Sequence, residues 1–252
     1  MTQQLNMLSV FLIHTAVMLT ITAQHNLTPF GTASQSSPYD FSDISKGKPE
    51  NAVNSPVSNQ FTLTTCSSTK LSDRNIDAAW WMFNFSFNTA YISNVTIYYR
   101  ENYSYRMDGF KLYVTNTSTI PPVGYLCYKD DHGRPYPAIT QTIDCTQLGK
   151  YVIYYDDRGS DEGAYIFGPV VELCYVAING CLKGTWGTNC SYACQPKCID
   201  QHCYPGNGSC VWGCDPQSCL NNTCDINTGA CSDGCVPGLT GPFCNMSKYF
   251  FK

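Results

Sequence analysis

Residues 80–87 read Trp80-Trp81-Met82-Phe83-Asn84-Phe85-Ser86-Phe87. Trp81, Phe83, Phe85 and Phe87 occupy alternate positions, and period-two spacing is what a half-buried strand requires. Asn84 then lies on the opposite, watered face. Residues 92–99 repeat the arrangement, with Val95 and Ile97 on one side and Asn94 on the other. Further strands are expected at 110–114, 151–155 and 170–177, bounded by Gly, Pro and Asp clusters. Regular short strands without helical periodicity over 26–178 predict an all-β sandwich, large enough to bury a core of its own.

Around this stretch the chain has 252 residues, 43% hydrophobic and 13% charged, with a formal net charge of −4. That balance argues against a nucleic-acid partner held by basic patches. Sixteen cysteines decide the compartment. Four of them (Cys66, Cys127, Cys145, Cys174) precede residue 180, and the other twelve lie between Cys181 and Cys244. Such a density marks a disulfide scaffold, which a reducing cytosol would leave without a means to fold. The composition therefore excludes a cytosolic enzyme. From Cys181 onward four lysines and four aspartates cancel, so the negative charge belongs to the sandwich.

Residues 8–23, LSVFLIHTAVMLTITA, are apolar and uncharged and end in small residues, so a signal peptide is expected at 1–23. No other stretch approaches spanning length, and the mature chain is expected to be secreted, extracellular and without a membrane span. Asn-X-Ser/Thr sequons at Asn26, Asn84, Asn94, Asn102, Asn116, Asn189, Asn207, Asn221 and Asn245 predict a glycoprotein. Past Cys244 the chain closes with a short tail at 246–252.

Several motifs within 26–178 carry a resemblance. Cys66-Ser67-Ser68, the Trp80-Trp81 pair, and Arg100-Glu-Asn-Tyr-Ser-Tyr-Arg106 followed by Met-Asp-Gly-Phe-Lys-Leu-Tyr-Val resemble an F-type lectin (fucolectin) module. Asn51-Ala-Val-Asn54 stands where that family carries Ala-Val-Asp-Gly. The resemblance implies a galactose-binding-domain-like jelly roll, with Cys66 joined to Cys174 and Cys127 to Cys145. It also implies a sugar site at one end of the sandwich, with Arg100 and Arg106 at the family's two arginine positions, Ser68 at its histidine and Asn102 at its aspartate. Guanidinium forks suit that task because they donate several hydrogen bonds in fixed geometry. Tyr98, Tyr99, Tyr103 and Tyr105 would complete a Tyr-Arg surface of the kind that dominates recognition energetics. The opposing expectation is that Arg100 and Arg106 are surface arginines paired with Glu101 and Asp108. No cofactor is expected; calcium has only Asn51 and Asn54 as weak candidates, with Tyr175 where the family places a glutamate.

The C-terminal third, 181–245, contains an internal repeat. Cys181-LKGTWGTN-Cys190 matches Cys235-VPGLTGPF-Cys244, and the spacings from Cys194 to Cys214 recur from Cys214 to Cys235. Gly184 and Gly187 align with Gly238 and Gly241. This pattern resembles the EGF-like repeats of multiple-EGF-like-domain proteins and class F scavenger receptors. Their order implies Cys194 with Cys203, Cys198 with Cys210, Cys214 with Cys224 and Cys219 with Cys231, while Cys181–Cys190 and Cys235–Cys244 close the glycine loops. Those relatives continue through further repeats to a membrane helix, so this chain is expected to be a short isoform, a truncated piece or a soluble decoy of a longer, membrane-anchored form. Zinc at Cys198, His202 and Cys203 is a competing reading, disfavoured because exported thiols oxidise.

Catalysis is not expected. His25, His132 and His202 lie in no nucleophile elbow, metalloprotease helix or metal-ligand spacing, and Asp130-Asp131, Asp156-Asp157 and Asp161-Glu162 read as solvated loop acids. The expected product is a non-catalytic recognition protein binding a glycan or a cell-surface or pathogen glycoprotein. The alternative is a matrix protein whose sandwich has lost sugar binding.

Overall fold

The computed structural model describes residues 25–71, 78–159 and 168–248. The expected signal peptide and the Asp161-Glu162 pair lie outside them. Ten strands build the N-terminal part: β1 (His25–Asn26), β2 (Gly31–Gln35), β3 (Ser67–Ser68), β4 (Ala79–Phe85), β5 (Ala90–Tyr99), β6 (Lys111–Thr115), β7 (Tyr125–Lys129), β8 (Thr140–Gly149), β9 (Tyr151–Asp156) and β10 (Glu172–Leu182). They form two five-stranded sheets. One runs β1-β10-β5-β8 with β3 also on β10, the other β2-β4-β9-β6-β7. All pairings within them are antiparallel. The chain is thus an all-β sandwich with a small disulfide-rich C-terminal region.

The alternation that predicted β4 is realised in its burial. Trp81, Phe83 and Phe85 are at most 1% exposed, while Trp80, Met82 and Asn84 are half-buried on the outer face. The opposing sheet contributes Val95, Ile97 and Tyr99 from β5 and Leu173, Val176 and Ile178 from β10. Tyr154 of β9 stacks on Phe110 with centroids 4.6 Å apart and lies 6.4 Å from Tyr99. Each large apolar side chain so enclosed is worth ~1.5–3 kcal/mol against exposure. β2 and β8 escape sequence reading because they are largely polar, and β7 because it is a short edge strand without alternating burial; β8 encloses Ile143 and Cys145 but leaves Thr140, Thr142 and Asp144 in water.

Two features of β10 depart from expectation. It runs through residue 178, where the sandwich was expected to end, because β5 is long enough to pair with it as far as Leu182↔Ala90. Cys181 is therefore a strand residue. The register also shifts between Leu173 and Tyr175, a bulge at Cys174 that keeps both Leu173 and Val176 in the core.

Disulfides join Cys66–Cys174, Cys127–Cys145, Cys181–Cys190, Cys194–Cys203, Cys198–Cys210, Cys214–Cys224, Cys219–Cys231 and Cys235–Cys244. No cysteine is free, so no thiolate remains for zinc. The repeat is visible in the backbone as well: Cys198↔Cys214 and Cys203↔Cys210 bridges recur as Cys219↔Cys235 and Cys224↔Cys231. Gly187 and Gly241, at φ +83° and +89°, turn two equivalent small hairpins in the left-handed region that glycine tolerates. The hydrophobic cluster of this part consists of Cys194, Cys198, Cys203 and Cys210 with Trp186 and Cys214 against it. Its crosslinks are in effect its core.

Candidate recognition site

Three elements meet at one end of the sandwich. β5 ends at Tyr99 and delivers Arg100, a short 3-10 turn (Ser104–Met107) returns Arg106, and β10 begins at Glu172. Glu172 Oε1 accepts from Arg100 Nη1 at 2.6 Å, and Oε2 accepts from Arg106 Nη1 at 2.7 Å. The side chains of Glu172, Arg106 and Arg100 are 3%, 8% and 23% exposed. The Arg100 amide also donates to the Glu172 carbonyl at 3.1 Å. Behind them Asn59 Nδ2 donates to the Tyr99 and Ile139 carbonyls at 2.7 and 3.2 Å, fixing the loop that carries Phe61.

The guanidinium groups are interleaved with rings. Arg100 Cζ lies 4.1 Å from the Phe61 centroid and 3.8 Å from that of Tyr103, and Arg106 Cζ lies 4.4 Å from Tyr103. Desolvated cation–π contacts of this kind contribute ~2 kcal/mol, less when exposed. Burial opposes the charge on Arg106, but Glu172, by charge and hydrogen bond, holds its pKa above the ordinary value. Two cations against one carboxylate leave this cluster with an excess positive charge. Beneath it, burial pushes the Tyr99 phenol well above its usual range, and the Tyr99 hydroxyl donates to the Val170 carbonyl at 3.1 Å. The fully enclosed Asp156 carboxyl is pushed up to about 7, chiefly by desolvation.

Several sequence expectations are corrected here. Arg100 and Arg106 pair with Glu172 rather than with Glu101 and Asp108; Asp108 instead meets His132 Nδ1 at 2.9 Å and the Gly133 amide. Ser68 is 1% exposed and turns its hydroxyl to the Thr69 carbonyl, so it presents nothing at the rim. Tyr99 is wholly buried, and Tyr98 faces Tyr175 on the outer side of the sheet. Tyr103 and Tyr105 do lie beside the arginines, with centroids 5.7 Å apart. Asn102 is exposed at φ +63°, next to them. Sequence reasoning missed Glu172 and Phe61. The signal for Glu172 was a lone acid inside the apolar run 170–178.

The two calcium candidates lie in different surroundings. Asn51 Nδ2 donates to the Leu63 and Cys66 carbonyls, pinning the loop of the Cys66–Cys174 bridge, and Asn54 is exposed. Among the described residues no group of three or more His, Cys, Asp or Glu side chains converges. Of the sequons, Asn102, Asn116, Asn189, Asn207, Asn221 and Asn245 are exposed. Asn84 is half-buried with Oδ1 enclosed, Asn94 accepts from Asn179, and Asn26 donates to Tyr175. No described helix is long and apolar enough to cross a membrane.

Fold and site together define a β-sandwich with an arginine–carboxylate–tyrosine cluster at one end. No family model matches the chain, and no curated protein matches it. Among solved structures, it is similar to a fucolectin from striped bass (Morone saxatilis) serum at 20% identity and a TM-score of 0.49, over 62% of this chain and 49% of that one. It is also similar to a fucose-binding module of Streptococcus pneumoniae, at 17% identity, TM-score 0.44, covering 61% and 96%. A third is a module from Clostridium perfringens solved with GalNAc-β-1,3-galactose, at 11% identity, TM-score 0.42, covering 61% and 99%. The chain thus spans about half the length of the fucolectin it matches.

Proposed function

We propose that this is a non-catalytic extracellular recognition protein whose sandwich binds a glycan at the Arg100–Tyr103–Tyr105 rim, with the C-terminal part acting as an EGF-like stalk. One observation carries the reading. Glu172 engages Arg100 through Nη1 alone, and the partly exposed guanidinium keeps further N–H donors beside the faces of Phe61 and Tyr103. Fixed donors beside aromatic faces are what a saccharide's hydroxyls and apolar ring faces need. Sixteen paired cysteines and the sequons support export, and the tail spacing supports a role like that of scavenger receptors, in adhesion or in recognising cell-surface or pathogen glycoproteins.

A glycan array tests the reading, using the full oxidised chain against Arg100→Ala/Tyr103→Ala, with and without calcium. Wild-type binding that the double variant loses is the expected result. Equal binding by the two would remove the site from this rim. The second reading, a matrix protein with a silent sandwich, is favoured by the fact that both arginines are held on Glu172. It predicts that the wild type binds no glycan on the array. An Asn102→Gln variant separates masking from loss, because an attached glycan at Asn102 would stand over Tyr103 and its removal would restore binding.

A further inference from the structure

The C-terminal part rests on the sandwich through a buried histidine. His202 is 3% exposed, and neither Nδ1 nor Nε2 has a hydrogen-bond partner among the described residues. Its ring meets Trp212 edge-on at 4.2 Å and lies 5.3 Å from Tyr91 of β5. Tyr91 in turn meets Tyr204 at 5.8 Å. His202 and Tyr204 flank Cys203, which the Cys194–Cys203 bridge anchors. Across the same junction Lys183 pairs with Asp200, and its amide donates to the Thr89 carbonyl at 3.3 Å. Beside these contacts an open cleft of 910 Å³ separates Phe87 and Leu148 of the sandwich from Pro196 and Asp215.

We propose that His202 is an acid-sensitive latch: its neutral imidazole holds the Cys194–Cys203 loop onto Tyr91, and protonation loosens the loop from the sandwich. A neutral imidazole tolerates aromatic surroundings. The imidazolium adds a charge and a second N–H donor where the site offers no acceptor, and an unpaired buried charge is strongly unfavourable. The groups facing it are the Tyr91 ring from β5, the Trp212 ring, and the charges of Lys183 and Asp200. Lys183 repels the imidazolium, and Asp200, which would attract it, is already engaged by Lys183. Tyr91, pushed up to about 12 mainly by burial, stays neutral throughout. Burial first, then Lys183, holds His202 below its ordinary 6.5. A depressed histidine contributes fully above the unfolded value and loses that contribution as pH falls through the lower folded value, so acid weakens the junction.

The test uses the full oxidised chain at about pH 7.5 and about pH 5, where the disulfides persist. Hydrogen exchange over 87–92 and 199–212, corrected for the intrinsic slowing of amide exchange in acid, is expected to rise several-fold on acidification in the wild type, with β4 and β6 unchanged. His202→Phe keeps an aromatic ring without a titratable nitrogen, and its exchange in those stretches is expected to stay flat. It retains Asp156, so any acid effect arising inside the sandwich persists in it. No rise in the wild type, or the same rise in His202→Phe, overturns the latch. The wild-type imidazole titration, followed by NMR, stands whether or not the variant folds: a midpoint below 6.5 is expected, and one at or above it overturns the proposal.

Discussion

Glu172 and Arg106 form a nearly enclosed ion pair, Oε2 to Nη1 at 2.7 Å, with 3% and 8% of their side chains exposed. Removing one partner from such a pair leaves an uncompensated buried charge and costs ~3–5 kcal/mol. Glu172→Gln is expected to approach that loss in denaturant unfolding with disulfides intact. Arg100→Ala, whose side chain is more exposed, is expected to lose about 1 kcal/mol. Equal losses for the two variants would mean that the pair does not anchor this end of the sandwich.

Asp156 gives the sandwich a pH dependence. Its Oδ1 accepts the Arg158 and Gly159 amides at 2.9 and 3.2 Å, while Oδ2 has no partner among the described residues. With its carboxyl at about 7 against 3.8 in the open chain, the folded state holds this proton more tightly than the unfolded one. Its contribution to stability is therefore full below the unfolded value and is lost as pH rises through about 7, each pKa unit corresponding to about 1.4 kcal/mol. Asp156→Asn is expected to exceed the wild type in stability at about pH 8 and to lose that advantage towards about pH 4. Parallel pH–stability curves for the two proteins would refute this.

Reduction is expected to act unevenly. The sandwich encloses Trp81, Phe83, Phe85, Phe110 and Tyr154, whereas the cluster of the C-terminal part is made of cysteines. Under dithiothreitol, hydrogen exchange should collapse over 188–245 while β4, β5 and β9 keep protection. Removing the Cys66–Cys174 bridge, whose residues are 108 apart in sequence, is expected to cost ~2–5 kcal/mol of sandwich stability. Uniform loss of protection on reduction would contradict this division.

Gly180 of β10 lies against the backbone of β5. A Cβ there would lie 2.0 Å from the Tyr91 carbonyl oxygen, so backbone must move. Gly180→Ala is expected to lose ~1–3 kcal/mol in chemical unfolding and to disturb the neighbouring Tyr91–His202 contact. Wild-type stability in this variant would show that the two strands separate more easily than their register implies.

The strands of the aromatic face were legible because period-two burial is a local property: Trp81, Phe83 and Phe85 declare β4 without reference to any other part of the chain. The disulfide-rich character of the C-terminal third was equally plain, since cysteine density is read from composition. β8 was not legible, because an edge strand that encloses little but Ile143 and Cys145 has no apolar signature. The rim was half legible. Its arginines stand in a recognisable spacing, but their common anchor, Glu172, lies 66 residues beyond Arg106. Only the pairing of β5 with β10 and the bulge at Cys174 bring that carboxylate to them. The same holds for His202: a histidine among cysteines suggests a metal ligand, and only the packing of its loop against Tyr91 makes it a buried ring with both nitrogens unsatisfied. Local spacing settles which face of an element is apolar, while the partner of a charge is set by contacts between segments distant in sequence.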